Sequence, residues 1–273
     1  DIIIISSWKD NGLAGRYQES TSIDLKEIWH PQLLIVNQRD VKKSLPEMAR
    51  IEPDGRVQYL QRYTGTYSAT LNLQAFPLDR QRLNIWLIAS QLLARNVNIE
   101  ADVNMLNYRN DQLSISDWGI IDIALNQREF TATSNSTPAS GVELTIDVKR
   151  KFGYYIIQII IPLLAIMLMA WSVFWIPPEA INVRVPVVIT TMLTLIAYRF
   201  ALAQRVPKLS YITRLDWFLL GSTGLVMLVL GAMAYSAYMA NAGRIDWVKK
   251  TDWYGRFIYP TLVVGFTLLV WLV

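Results

Sequence analysis

Between positions 183 and 203 an apolar stretch carries Thr190, Thr191, Thr194 and Arg199, and Asn182 and Arg184 stand at its start. Polar groups in such a run are costly in hydrocarbon and usually face protein or water. Stepping by alternate fours and threes picks out Asn182, Pro186, Thr190, Leu193, Ala197, Phe200 and Gln204, one continuous stripe of a helix. The stripe is polar at its start, hydroxylic in its first third, and apolar at Leu193, Ala197 and Phe200. Ion passage suits such a stripe, with an apolar ring at Leu193 or Phe200 gating a wet path by dewetting. One stripe cannot enclose a path, so this reading needs several copies around an axis. The threonines alone leave a second reading open, in which they bond their own backbone or a neighbouring helix. Pro186 is expected in the first turn of this helix, where a missing N–H costs little.

Elsewhere the residue types exclude more than they offer. With no cysteine there is no disulfide framework, thiolate metal site or Cys nucleophile. The one histidine, His30, lies between Trp29 and Pro31 and reads as structural or surface. No Gly-rich phosphate loop, triad or carboxylate pair stands out, so neither an enzyme nor a cofactor is expected. Asp40, Asp54 and Asp102 have the chemistry for a Ca2+ site, but scattered carboxylates on a β domain read as solvated, and no metal ligands are assigned. The sequence pI of about 9.2 does not indicate nucleic acid, because the basic excess flanks apolar spans.

These residues must be positioned by two compositionally different regions. Residues 1–153 hold 17 Lys/Arg and 18 Asp/Glu, a net −1, whereas 154–273 hold 9 and 4, a net +5. The second region contains four apolar stretches, about 154–176, 183–203, 217–238 and 254–273, each near the ~20 residues that cross a bilayer as a helix. Trp and Tyr flank them as an aromatic belt, and flanking Lys/Arg on both sides leave the orientation open. In the first region, Val142–Val148 alternates as a strand, as do Leu83, Ile85 and Leu87. Val57 and Tyr59 lie on another strand, opened by the turn Glu52-Pro53-Asp54-Gly55 that is expected to close a hairpin. The segment 131–141 reads as an exposed polar loop. Short strands with regular turns predict an immunoglobulin-like antiparallel β-sandwich over 1–151, followed by a four-helix transmembrane bundle over 152–273.

The motifs, in order, resemble those of pentameric ligand-gated ion channels, the Cys-loop receptor superfamily, and in particular its prokaryotic members. Trp8-Lys9-Asp10 resembles the family's WxD, Trp29-His30-Pro31 with Asn37 its WxP…N, and Pro53-Asp54-Gly55 its PDG turn. Phe76-Pro77-Leu78-Asp79 is similar to the FPxD of the signature loop, and Arg150 with Tyr154, Tyr155 and Pro162 to the start of the first span. Ile189–Thr194 resembles the pore segment, and Val206–Tyr211 the linker between the second and third spans. Ala69 and Leu83 occupy the positions expected for the two loop cysteines, and the connection at about 239–253 is short. Both features resemble the bacterial branch.

The resemblance implies a homopentamer in a bacterial inner membrane, with a periplasmic or extracellular sensing domain, an unknown agonist, and lipids and permeating ions as partners. It implies that the first strand of that domain would precede Asp1. It assigns gating coupling to Phe76, Pro77, Asp79, Arg150, Pro207 and Lys208, with Asp79 and Arg150 forming a charge-assisted pair. The family's agonist box corresponds to Ile3, Val36 and about Ser90–Gln91, which are not aromatic, and Tyr59 and Phe130 are the nearest aromatics. Tyr59, Ser90, Gln91 and Phe130 are therefore the ligand candidates, and a quaternary-amine site is not expected. The neutral mouth at Asn182 and Val183 lacks the usual Glu of cation channels, and the pore segment resembles that of anion-passing GABA and glycine receptors. Characterised bacterial relatives are mostly cation channels, so cation conduction is expected, with anion conduction as the alternative. A transporter or membrane enzyme would need ionisable groups deep in several spans. A sensor whose spans only anchor it would need no ordered polar stripe.

Overall fold

The computed structural model describes residues 1–89, 97–102, 117–130, 139–204 and 209–272. Strands β1 (Ile2–Lys9), β2 (Thr21–Asp24), β4 (Gln38–Lys43), β5 (Met48–Ile51) and β6 (Arg56–Tyr67) form one sheet, in the order β1-β6-β5-β2 with β4 also on β6. Strands β3 (Leu33–Ile35), β7 (Arg80–Ala89), β8 (Trp118–Phe130) and β9 (Ala139–Arg150) form the second, in the order β3-β7-β9-β8. Along β6 every second side chain from Val57 to Tyr63 is buried and the intervening ones are exposed, the period-two pattern of a half-buried strand. Val57 and Tyr59 join Leu13, Leu25, Ala49 and Ile51 in one apolar cluster. The resulting architecture is the expected antiparallel sandwich. One boundary differs: the segment read as polar loop up to Gly141 already belongs to β9 from Ala139 onward, because Val142 and its neighbours carry the strand pattern back through small residues.

The PDG turn closes the β5–β6 hairpin as expected. Asp54 and Gly55 turn the chain, Gly55 N–H donates to the Glu52 carbonyl at 2.9 Å, and Ile51 pairs with Val57 across the hairpin. Gly55 adopts φ +82°, a left-handed conformation that a Cβ disfavours.

Four helices are long and apolar enough to cross a membrane: Gly153–Trp175, Ile181–Ala203, Arg214–Asn241 and Ile245–Leu272. The first is wound as a π-helix over Ile156–Ile160. The third opens on a capping box in which Thr213 and Asp216 satisfy each other's backbone N–H, supplying partners for orphan donors at the helix start. The fourth starts nine residues before its apolar stretch. Only residues 242–244 separate the last two helices, rather than the whole segment 239–253. Its added turns bury Val248 and Asp252, one helical turn apart on one face, and Asp246 favours the first turn of the helix.

Each of three helices contains an internal or near-terminal proline whose missing N–H frees a carbonyl four residues back. Beside Pro162, the Tyr198 hydroxyl reaches the carbonyls of Gln158 and Ile159, at 3.1 and 2.9 Å. Pro260 frees that of Arg256, and the Trp171 indole N–H donates to it at 3.1 Å. Pro186 lies in the second turn of its helix, not the first, because the helix begins at Ile181. The carbonyl it frees belongs to Asn182.

The chain forms two compact units interleaved in sequence, one of which joins Asn72–Arg80 and Ser116–Gly119 to Lys149–Val273. Of the first unit, the PDG turn makes a direct forecast. A Cβ on Gly55 would lie 2.5 Å from the Asp10 carbonyl oxygen, so Gly55→Ala combines a clash with a left-handed penalty of about 1–2 kcal/mol. It is expected to lower the thermal unfolding midpoint of the detergent-solubilised protein; an unchanged midpoint counts against a strained turn.

Candidate functional site

The second helix divides sharply by face. Asn182, Pro186, Thr190, Leu193, Ala197, Phe200 and Gln204 are all exposed in the single chain, whereas Arg184, Val188, Thr191, Leu195 and Leu202 are buried. Leu193 is 61% and Phe200 71% exposed. The stripe thus runs the length of the helix without cover from its own subunit. Its threonines do not all serve it: Thr191 donates to the Val187 carbonyl and Thr194 to that of Thr190, both at 2.8 Å. Such back-bonds let a hydroxyl sit in an apolar span. Arg199 lies off the stripe and donates to the Thr223 hydroxyl of the third helix at 3.2 Å.

Four of the residues expected to couple gating, Phe76, Pro77, Asp79 and Arg150, belong to the second compact unit. Arg150 grips Asp79 with both sides of its fork, Nε to Oδ1 at 2.7 Å and Nη2 to Oδ2 at 3.1 Å. The Asp79 side chain is 1% and that of Arg150 10% exposed. This is a buried bidentate pair, far from the exposed ion pair worth under about 1 kcal/mol. The guanidinium also lies 4.1 Å from the Trp118 ring and 5.0 Å from that of Phe76, both within cation–π range. Burial works against the cation, but Asp79 and Tyr155 outweigh it and hold Arg150 above its ordinary pKa.

The same loop is tied to the third helix. Phe76 and Pro77, joined by a cis peptide bond, are buried. The Tyr211 hydroxyl accepts from Leu73 N–H and the Gln74 carbonyl from Arg214 N–H, both at 2.9 Å. Pro207 and Lys208 lie outside the described residues.

The ligand candidates are not gathered. Tyr59 lines a cavity of about 260 Å³ in the β domain together with Trp8, His30, Lys43 and Tyr63. Phe130 belongs to the other sheet and packs its ring on Trp86, 6.0 Å between centroids. Ser90 and Gln91 lie outside the described residues. Close to Phe130, the buried Glu143 accepts from the Trp86 indole at 3.0 Å and from Arg128 at 2.8 Å. Burial alone would raise its pKa, but these two donors hold it below the usual carboxylate range. Among the described residues no cluster of His, Asp or Glu could hold a metal ion.

Residues 1–152 match the family model described as the neurotransmitter-gated ion-channel ligand binding domain, and residues 159–246 the one described as the neurotransmitter-gated ion-channel transmembrane region. The chain belongs to the neurotransmitter-gated ion-channel family. It is 27% identical over 211 residues to the proton-gated ion channel of Gloeobacter violaceus, covering 76% of this chain and 58% of that protein. To the gamma-aminobutyric acid receptor subunit beta-4 of Gallus gallus it is 28% identical over 251 residues, 85% of this chain and 49% of the relative. To the gamma-aminobutyric acid receptor subunit beta of Caenorhabditis elegans it is 29% identical over 201 residues, 71% and 36%. The chain therefore spans about half the length of these relatives. It is a multi-pass membrane protein with four spans, in a family of ligand-gated ion channels rather than enzymes.

Sequence reasoning missed several members of the junction. Trp118 carries no local signal of its contact with Arg150, and Tyr211, though part of the linker motif, none of its contact with Leu73, because each partner is more than 30 residues away in the chain. It also missed the partner of Arg184, which is Asp252 of the fourth helix. A signal existed: Asp252 is one of only four acidic residues after position 153.

The buried Asp79–Arg150 pair yields a double-mutant forecast. Asp79→Asn or Arg150→Gln alone strands a buried charge and is expected to cost about 3 kcal/mol or more. The double variant should cost clearly less than the sum of the two, read from thermal unfolding midpoints. Additive losses would mean that the two groups act independently.

Proposed function

We propose that this chain is the subunit of a homopentameric ligand-gated channel of a bacterial inner membrane. Its β domain, on the periplasmic side, senses an agonist, an ion or pH, and the second helices of five copies line a central cation-conducting pore. The observation that carries this reading is the uncovered stripe from Asn182 to Gln204, seven residues exposed on one face while the opposite face is buried. A stripe polar at its ends and hydroxylic at Thr190 is poorly suited to lipid. It is well suited to water at the axis of a ring of subunits.

Cation conduction is supported at the Asn182 end. No charged side chain lies on the stripe, and Pro186 leaves the Asn182 carbonyl without a helical N–H partner four residues on. Five such carbonyls and amides around an axis offer oxygens to a cation, in place of the carboxylate ring of other pores. The gate is the apolar ring at Leu193, with Phe200 the second constriction. Gating passes from the loop at Phe76, Pro77 and Asp79 through Arg150 and on to Pro207 and Lys208, shifting the closed–open population. Tyr59, Phe130, Ser90 and Gln91 are the residues proposed to bear on ligand recognition. No cofactor or metal is assigned.

The test is reconstitution in planar bilayers, challenged with a pH series and a panel of amino-acid and amine agonists under asymmetric KCl. A gated current reversing toward the potassium equilibrium potential is expected. Absence of current under every condition would sink the channel reading, and reversal toward chloride would sink the selectivity. In the same system Leu193→Ser should lower the stimulus for half-activation about tenfold, equivalent to about 1.4 kcal/mol in the closed–open balance. Harder or unchanged activation would remove the gate from Leu193.

A further inference from the structure

Arg184 poses a problem for a cation pore. It lies two residues from both Asn182 and Pro186, and in five copies it would ring the mouth with positive charge. At about 100° per residue, however, it projects roughly opposite the midpoint between those two stripe residues. It is 1% exposed, and its guanidinium Nη2 is hydrogen-bonded to the Oδ1 of Asp252, itself 2% exposed, in the fourth helix. This contact is buried more deeply than the Asp79–Arg150 pair, with both side chains at most 3% exposed, and is unlike it. Arg184 Nε and Nη1 and Asp252 Oδ2 are buried with no hydrogen-bond partner among the described residues. A buried pair left so incompletely satisfied adds little to stability. Removing one member is another matter, because the remaining charge must then reach water.

We propose that Asp252 is a positioning residue for ion selectivity: it holds Arg184 behind the pore helix and cancels its charge, so that the mouth presents only neutral oxygens. The inference rests on the channel reading above and deepens it. The surroundings favour an all-or-nothing arrangement. Near Asp252 the fourth helix is pinned to the first by Arg256 Nε, which donates to the Phe174 carbonyl at 3.0 Å, and by Trp171, which donates to the Arg256 carbonyl. Asp252 is thus fixed in place. The nearest water for a released guanidinium is at the helix end, beside the exposed Asn182 and Val183.

The experiment measures chloride-to-potassium permeability from reversal potentials under a KCl gradient, in the condition that opens the wild-type channel. Asp252→Asn keeps the shape and removes the charge. It is expected to raise the ratio about tenfold, the scale on which local potentials concentrate ions. Asp252→Glu should keep the wild-type ratio. The double variant Arg184→Met with Asp252→Leu, an apolar replacement of the pair, should also keep it, because the pair contributes no net charge to the path. A conducting Asp252→Asn channel with the wild-type ratio overturns the proposal. So does a shifted ratio in the double variant, which decides the matter if Asp252→Asn fails to assemble, as read by size-exclusion chromatography. A wild-type protein that never conducts would instead refute the channel reading itself.

Discussion

Hydrocarbon supplies no hydrogen bonds, so every polar group carried into the bilayer must find its partner within the protein. That constraint accounts for most of the polar chemistry of the helical unit. Several serines and threonines in the spans turn back on their own helices: Ser222 to Phe218, Thr223 to Leu219, Thr267 to Val263, each at 2.7 Å. The prolines open gaps in the backbone ladder that side chains of other helices close, Tyr198 at Gln158 and Trp171 at Arg256. These repairs join the first helix to the second and the fourth, so a local defect becomes a tertiary bond. The third gap, at Asn182, lies on the exposed stripe. In the proposed pore this carbonyl and the exposed Asn182 amide face water rather than lipid.

The unit that contains the helices also takes in the segment Asn72–Arg80, and the physics there is the reverse. Arg150 is surrounded by the Asp79 carboxylate and three aromatic rings, one of them the phenol of Tyr155. Each lowers the free energy of a desolvated cation, and together they outweigh its burial. A guanidinium held from so many directions cannot swing independently of Phe76 or Trp118. Displacement of the Asp79 loop must therefore move the start of the first helix, which begins three residues after Arg150. Through Leu73 and Gln74 the same displacement reaches Tyr211 and the first residue of the third helix. A rigid knot at this place suits transmission better than a flexible tether would.

Much of this was legible in the sequence because it is periodic. The stripe from Asn182 to Gln204 follows from helical spacing alone, and the exposed and buried sides of β6 from alternation. The PDG turn needed only its glycine, whose φ of +82° is the conformation such a turn demands. What could not be read was whatever joins distant positions. Nothing near Asp252 announces Arg184, 68 residues earlier, and Trp118 stands beside Arg150 only because β8 and β9 pair. Helix ends were misread for a related reason. Hydropathy marks where lipid contact begins, so Ile245–Trp253, rich in charge, looked like a connection; hydrogen bonding carries the helix through it regardless.

The two buried ion pairs of the helical unit carry opposite designs. Asp79 and Arg150 satisfy each other with two hydrogen bonds and a ring of aromatics, so the pair is stable as it stands and breaking it brings no compensating gain. Arg184 and Asp252 share one hydrogen bond and leave three buried polar atoms without partners among the described residues. An apolar pair of similar volume in that place would fold at least as well, so stability is not a reason for ionised groups there. The arginine sits on the opposite side of its helix from the stripe. In the proposed channel, a charge kept so close to the ion path, yet turned from it and neutralised by a carboxylate on another helix, has its consequence in the electrostatic potential of that path. On that proposal the fourth helix, the least buried of the four, influences ions that never touch it.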